Sequence, residues 1–142
     1  YLILNRAYPL NILEDGFAED DWAGFQSLNT QLGKQLLIVG DDLTVTNTKR
    51  IELAIQKQAI NAVLIKLNQI GTVTETLAAI NLTKQAGWQP IISHRSGETT
   101  DTFIADLAVG TAAPYLKSGS MSRGERIAKY DRLLVIEDKI SG

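Results

Sequence analysis

The sequence has 142 residues, enough for one domain or part of a larger one, and 44% of them are apolar, enough for a substantial core. A net charge of −2 gives no global attraction to nucleic acid or to an anionic membrane, so any basic site must be local. The absence of cysteine excludes disulfides and zinc–thiolate sites, and no apolar run approaches the ~18 residues of a membrane span. No signal peptide is visible, and the only methionine is Met121, so Tyr1 is not expected to be a natural start. The chain is expected to be a piece of a longer protein.

Asn11-Ile12-Leu13, ending in Glu14-Asp15-Gly16, reads as a strand and a turn. Glu19-Asp20-Asp21 then precedes Trp22, Phe25, Leu28 and Leu32 at helical spacing, and acids suit a helix start. Gly33 is the expected C-cap. Leu36-Leu37-Ile38-Val39 is a buried strand broken by Gly40-Asp41-Asp42. Thr46-Asn47 can cap the next helix, which turns Ile51, Ala54 and Ile55 inward. Ala62-Val63-Leu64-Ile65 is the third strand, with Lys66 at its end. Thr72-Val73-Thr74-Glu75 is a capping box, and the helix behind it carries Val73, Leu77, Ile80 and Leu82 to Gly87. Pro90 opens the fourth strand, where proline is tolerated.

Ile91-Ile92 leads into the polar knot Ser93-His94-Arg95-Ser96-Gly97-Glu98. A helix with Phe103, Ile104 and Leu107 on one side follows, to about Gly110. Strand, polar turn and helix start in succession suit an anionic group, and an adjacent arginine adds to this. The bland alternative is a solvated loop whose histidine merely packs. Ala113–Leu116 is a short fifth strand ending at Lys117. Ser122-Arg123-Gly124-Glu125 reads as a second capping box, before Ile127, Tyr130, Leu133 and Leu134.

Polar tips fall at Glu14, Asp41, Lys66, His94 and Lys117, separated by 23 to 28 residues, the length of one strand–helix unit. The strands are apolar runs, as expected of a parallel sheet covered by helices. Two α/β architectures fit: about five consecutive strand–helix units of a (β/α)₈ TIM-type barrel, or a five-stranded flavodoxin-like sheet. An open sheet gathers its useful tips at one switch point. Here every tip is chemically loaded, which favours the C-terminal part of a barrel. Glu14 and Asp41 are hard oxygen ligands suited to Mg²⁺. Lys66 and Lys117 can bind an acid or take a proton, and His94-Arg95-Ser96 can hold phosphate. Singly, each has a plain reading as a turn former, helix cap or solvated cation. Five in register argue for a shared site.

The stretches Glu14-Asp15-Gly16-Phe17-Ala18-Glu19-Asp20-Asp21-Trp22, Gly40-Asp41-Asp42-Leu43-Thr44-Val45-Thr46-Asn47, Lys66-Leu67-Asn68-Gln69-Ile70-Gly71 and Ser93-His94-Arg95-Ser96-Gly97-Glu98-Thr99 closely resemble enolase. The runs Asp101–Gly110 and Arg126-Ile127-Ala128-Lys129-Tyr130 extend the resemblance over nearly the whole chain. Glu-Asp-Gly, where other members have Glu-Asp-Pro, is similar to the bacterial branch. Tyr115-Leu116-Lys117-Ser118-Gly119-Ser120 departs from the commoner Ile-Lys-Thr-Gly pattern but keeps the lysine and glycine.

The resemblance implies that residues 1–142 are part of the catalytic barrel domain, with the N-terminal domain and the first barrel strands absent. It implies reversible, Mg²⁺-dependent dehydration of 2-phosphoglycerate to phosphoenolpyruvate in glycolysis and gluconeogenesis. Lys66 would be the base that removes the C2 proton. Glu14 and Asp41 would be two of three metal carboxylates. Glu14, His94, Arg95, Ser96 and Lys117 would contact substrate, with Arg95 and Ser96 at the phosphate. A lysine or histidine base working beside one or two Mg²⁺ ions is the established pattern of the superfamily rather than a conclusion from these residues. The third carboxylate and the general-acid glutamate would precede Tyr1, so the chain alone is expected to be inactive. A homo-oligomeric, cytoplasmic parent is expected, although members are also known at the cell surface or secreted. The alternatives are another enolase-superfamily enzyme acting on a carboxylate without phosphate, and a non-catalytic barrel piece that binds a protein.

Overall fold

A computed structural model describes residues 1–142 and divides into two compact units, Tyr1–Pro90 and Ile91–Gly142. The first unit holds β1 (Ile12–Glu14), β2 (Leu37–Gly40) and β3 (Ala62–Ile65), with β1 parallel to β2 and β2 parallel to β3. The helices between and after them are α2 (Trp22–Leu32), α3 (Thr48–Lys57) and α5 (Val73–Gln85). Two further elements lie outside the expected set: α1 (Leu2–Ala7), and α4 (Leu67–Ile70), a single turn stopped by Gly71 at φ 104°. β3 is buried at all four positions, as an apolar run in a covered parallel sheet should be.

Local chemistry sets the helix boundaries in this unit. Asp21 caps α2 by accepting the Gly24 N–H, and Phe25, Leu28 and Leu32 form its buried stripe. Asn47 caps α3 through the N–H groups of Lys49 and Arg50, and Ile51 and Ala54 are buried, as expected. Thr72 caps α5 by accepting the Glu75 N–H, while its hydroxyl donates to Glu75 Oε2 at 2.6 Å. The buried face of α5 differs from the expected one. Thr76, Ala79, Ile80 and Thr83 are buried, whereas Val73 and Leu77 are 45% and 37% exposed. Each threonine hydroxyl donates to the carbonyl four residues back, which lets a polar side chain occupy an apolar face.

β4 (Gln89–Ser93) carries the chain from the first unit into the second, and Pro90 is its second residue. The second unit also contains α6 (Phe103–Gly110), β5 (Tyr115–Lys117) and α7 (Gly124–Ser141). β4 and β5 pair in parallel, with Ser93 opposite Lys117. Three sequence expectations fail here. The α6 N-terminus does not adjoin the polar knot, because residues 94–102 form a loop before it. Phe103 is 43% exposed, while Ala105, Leu107 and Ala108 are buried. The second capping box does not form: Ser122 Oγ pairs with Ser120 Oγ, and Glu125 pairs with Arg123. The buried residues of α7 are two cations, Arg126 and Lys129, rather than its apolar positions.

Candidate functional site

In the first unit, Glu14, Asp41 and Lys66 lie at the same end of parallel neighbours. Glu14 closes β1, Asp41 immediately follows β2, and Lys66 immediately follows β3. Lys66 Nζ reaches Asp41 Oδ2 at 2.6 Å, and the two side chains are only 13% and 11% exposed. The other carboxylate oxygen, Asp41 Oδ1, is buried without a hydrogen-bond partner. Such an oxygen is costly in a purely apolar setting and suits a hard cation.

The turn that carries Asp41 is held from β1. Asp15 stands at φ 44°, and its two carboxylate oxygens accept the N–H groups of Asp41 and Asp42, each at 2.9 Å. One carboxylate oxygen from each of Asp15, Asp41 and Asp42 lies within 4.8 Å of the other two. Burial pushes the Asp15 carboxyl up, and the neighbouring Asp41 and Asp42 charges add to this against the two backbone hydrogen bonds. Both Asp15 oxygens are committed to backbone donors, which makes Asp15 the shaper of the turn. Lys66 is fixed through its backbone as well: its N–H donates to Thr46 Oγ1 at 2.9 Å, and that hydroxyl donates to Gln69 Oε1.

In the second unit, His94 and Lys117 stand at the same end of β4 and β5, joined by a hydrogen bond from the His94 N–H to the Lys117 carbonyl. Arg95 and Ser96 follow in the loop, with Ser96 exposed. α7 holds this loop through two of its side chains. The buried Arg126 guanidinium donates to His94 Nδ1, and to the carbonyls of Arg95 and Ser96 at 2.9 Å each. Lys129, 1% exposed, donates to the Thr99 carbonyl and pairs with Glu98 Oε2 at 2.6 Å. Glu98 Oε1 in turn accepts the Arg95 N–H. Burial raises the Glu98 carboxyl, but the Lys129 and Arg95 hydrogen bonds outweigh it, and its pKa lies below the ordinary value. The His94 pKa is lowered, first by burial and then by the Arg126 charge.

Each expected site residue thus sits at or just past a strand's C-terminal end. The sequence reading missed the supports: Asp15, Thr46, Glu98, Arg126 and Lys129. Asp15 carried a signal, since an aspartate just past a strand tip is a turn former that tolerates the left-handed region. Arg126 and Lys129 lie in a run that resembles enolase, but nothing marked them as buried, because cations on a helix ordinarily mark its solvent face.

The model of the enolase C-terminal TIM barrel domain matches residues 1–142. The chain is also 58% identical over 133 residues to Enolase 1 of Methylococcus capsulatus, an alignment covering 94% of this chain and 32% of that protein. The chain therefore spans about a third of the length of that curated relative. The match decides between the two architectures left open by the sequence, in favour of the barrel. With parallel strands in sequential order inside each unit, a (β/α) alternation, and a domain match from first residue to last, the chain is the C-terminal part of a TIM-type barrel and belongs to the enolase family.

Proposed function

We propose that the intact protein containing this chain catalyses the reversible, Mg²⁺-dependent dehydration of 2-phosphoglycerate to phosphoenolpyruvate, as in glycolysis and gluconeogenesis. One observation carries this reading within the family. The buried Asp41 carboxylate engages Lys66 through one oxygen and has no donor on the other. A cation ligand and a proton acceptor side by side are what proton removal beside a carboxylate requires.

Glu14 and Asp41 are the carboxylates proposed to hold the ion, and their donor type fits it. When bound, Mg²⁺ supplies positive charge to the substrate carboxylate as that group gains electron density. Lys66 Nζ, as the unprotonated amine that this step requires, takes the C2 proton, and the C–H electron pair spreads toward the carboxylate. The hydroxyl then leaves C3 as water, with a proton from an acid that the resemblance assigns to a segment preceding Tyr1. Asp41 Oδ2 and the Thr46 hydroxyl hold Lys66 in position through its side chain and its backbone. Arg95 and Ser96 contact the phosphate, and Glu14, His94 and Lys117 contact the rest of the substrate. The intact protein is proposed to be a cytoplasmic homo-oligomer. No helix of the chain is long and apolar enough to cross a membrane.

The test is phosphoenolpyruvate formation by the intact protein from 2-phosphoglycerate, before and after chelation. The reading predicts turnover that stops on removing divalent ions and returns with Mg²⁺. No turnover at any Mg²⁺ concentration would retire it. The 142-residue chain alone should give none, since a metal carboxylate and the acid are assigned elsewhere.

A further inference from the structure

The contact between Arg126 and His94 has a chemical consequence that follows from donor counting. A guanidinium carries only N–H groups and has no acceptor. In the hydrogen bond between Arg126 Nη1 and His94 Nδ1, the imidazole nitrogen must therefore be the acceptor. A ring whose Nδ1 offers a lone pair carries its proton on Nε2. It cannot be an imidazolium, which has donors at both nitrogens.

The surroundings hold this arrangement firmly. Arg126 is 8% exposed, and its guanidinium also donates to the Arg95 and Ser96 carbonyls, so its plane is fixed at three acceptors. Gly119 stands at φ 78°, and a Cβ there would lie 3.1 Å from His94 Cε1 and 3.3 Å from Arg126 Cδ. Tyr130 donates its hydroxyl to the Gly119 carbonyl and keeps that backbone in place. The charged groups acting on the ring within this unit are Arg126 and Lys129 of α7, Lys117 of β5, and Glu98 of the loop. Three of the four are cations that disfavour a second proton, and Glu98 is itself paired with Lys129.

We propose that Arg126 is a positioning residue that fixes His94 as a neutral imidazole with its proton on Nε2, so that His94 serves the substrate as a hydrogen-bond donor and not as a cation or a proton donor. The role toward substrate rests on the function proposed above; the state of the ring does not. The lowered pKa of His94 agrees with this state, with burial as its main cause and Arg126 next.

The test is the ¹⁵N spectrum of the imidazole ring in the intact protein, with a His94→Gln sample to assign the signals. The unaltered protein should show an unprotonated Nδ1 and a protonated Nε2 at pH 7, and the ring should titrate below the ordinary histidine value of about 6.5. In Arg126→Met the ring should populate both tautomers and titrate higher. Its kcat/KM should fall at least about tenfold, with the loss steepest at acid pH. Should Arg126→Met fail to fold, the unaltered protein's spectrum decides by itself. A protonated Nδ1, or an imidazolium at pH 7, would overturn the proposal. Failure of the intact protein to turn over 2-phosphoglycerate would overturn the proposed function, while the protonation state of the ring would still be decided by its own spectrum.

Discussion

Lys66 Nζ and Asp41 Oδ2 are 2.6 Å apart at the ends of neighbouring strands, with little water around either group. The pair is a mutual requirement more than a source of net stability, because desolvation offsets most of the attraction. Removing one partner strands the other. Asp41→Asn in the intact protein should cost about 3–5 kcal/mol. Asp41→Asn with Lys66→Met should recover a large part of that. Denaturant midpoints for the two single variants and the double variant give the coupling. Additive losses would mean that the pair is not coupled in solution.

Asp15 should matter for the shape of the turn. Asp15→Ala removes the acceptor for both the Asp41 and Asp42 N–H groups and puts a Cβ-bearing residue without a polar side chain at φ 44°. A loss of about 2 kcal/mol is expected, while Asp15→Asn, which keeps an acceptor and tolerates the left-handed region, should lose less. Unchanged stability in Asp15→Ala would show that the hydrogen bonds contribute little.

The Glu98–Lys129 pair predicts a pH dependence. The Glu98 pKa is depressed in the folded state against an ordinary value near 4.5. The unfolded state therefore takes up the proton first as pH falls. The stabilisation is present above about 4.5 and is lost as pH drops through the folded value. Glu98→Gln should be less stable than the unaltered protein at neutral pH and should approach it in acid. A stability gap that stayed constant from pH 7 into the acid range would contradict the pairing.

Gly119→Ala should disturb the site more than the fold. The left-handed conformation costs an alanine about 1–2 kcal/mol, and the new methyl presses on His94 and Arg126. The expected result is a folded protein with kcat/KM down by tenfold or more. Unaltered kinetics would show that the ring has room to move.

The parallel order of the strands and the placement of every polar tip were legible because both follow from a short-range code. Apolar runs such as Ala62–Ile65 and Leu37–Val39 are the strands, and the first polar residue after each is the tip. The helix faces were less legible. Thr76 and Thr83 are buried because their hydroxyls are satisfied within α5, which an apolar count along the sequence does not register. Ser122 and Glu125 have the capping-box spacing, yet Ser120 and Arg123 are the partners they take. Arg126 and Lys129 are buried because their acceptors, the carbonyls of Arg95, Ser96 and Thr99, lie about thirty residues upstream. That pairing arises from tertiary structure alone. The resemblance to enolase supplied the proposed roles of the tips but not the hydrogen bonds that hold them.

The account turns on Lys66 as the base, and exchange of the C2 hydrogen of 2-phosphoglycerate with solvent deuterium tests it most directly. The measurement is made by NMR on the intact protein and on Lys66→Ala, with Mg²⁺ present. The account predicts that exchange in the variant falls by at least the ~10²–10⁴-fold typical of a general base, while its fold is retained. Exchange in Lys66→Ala as fast as in the unaltered protein would contradict it, and would reduce Lys66 to the structural partner of Asp41.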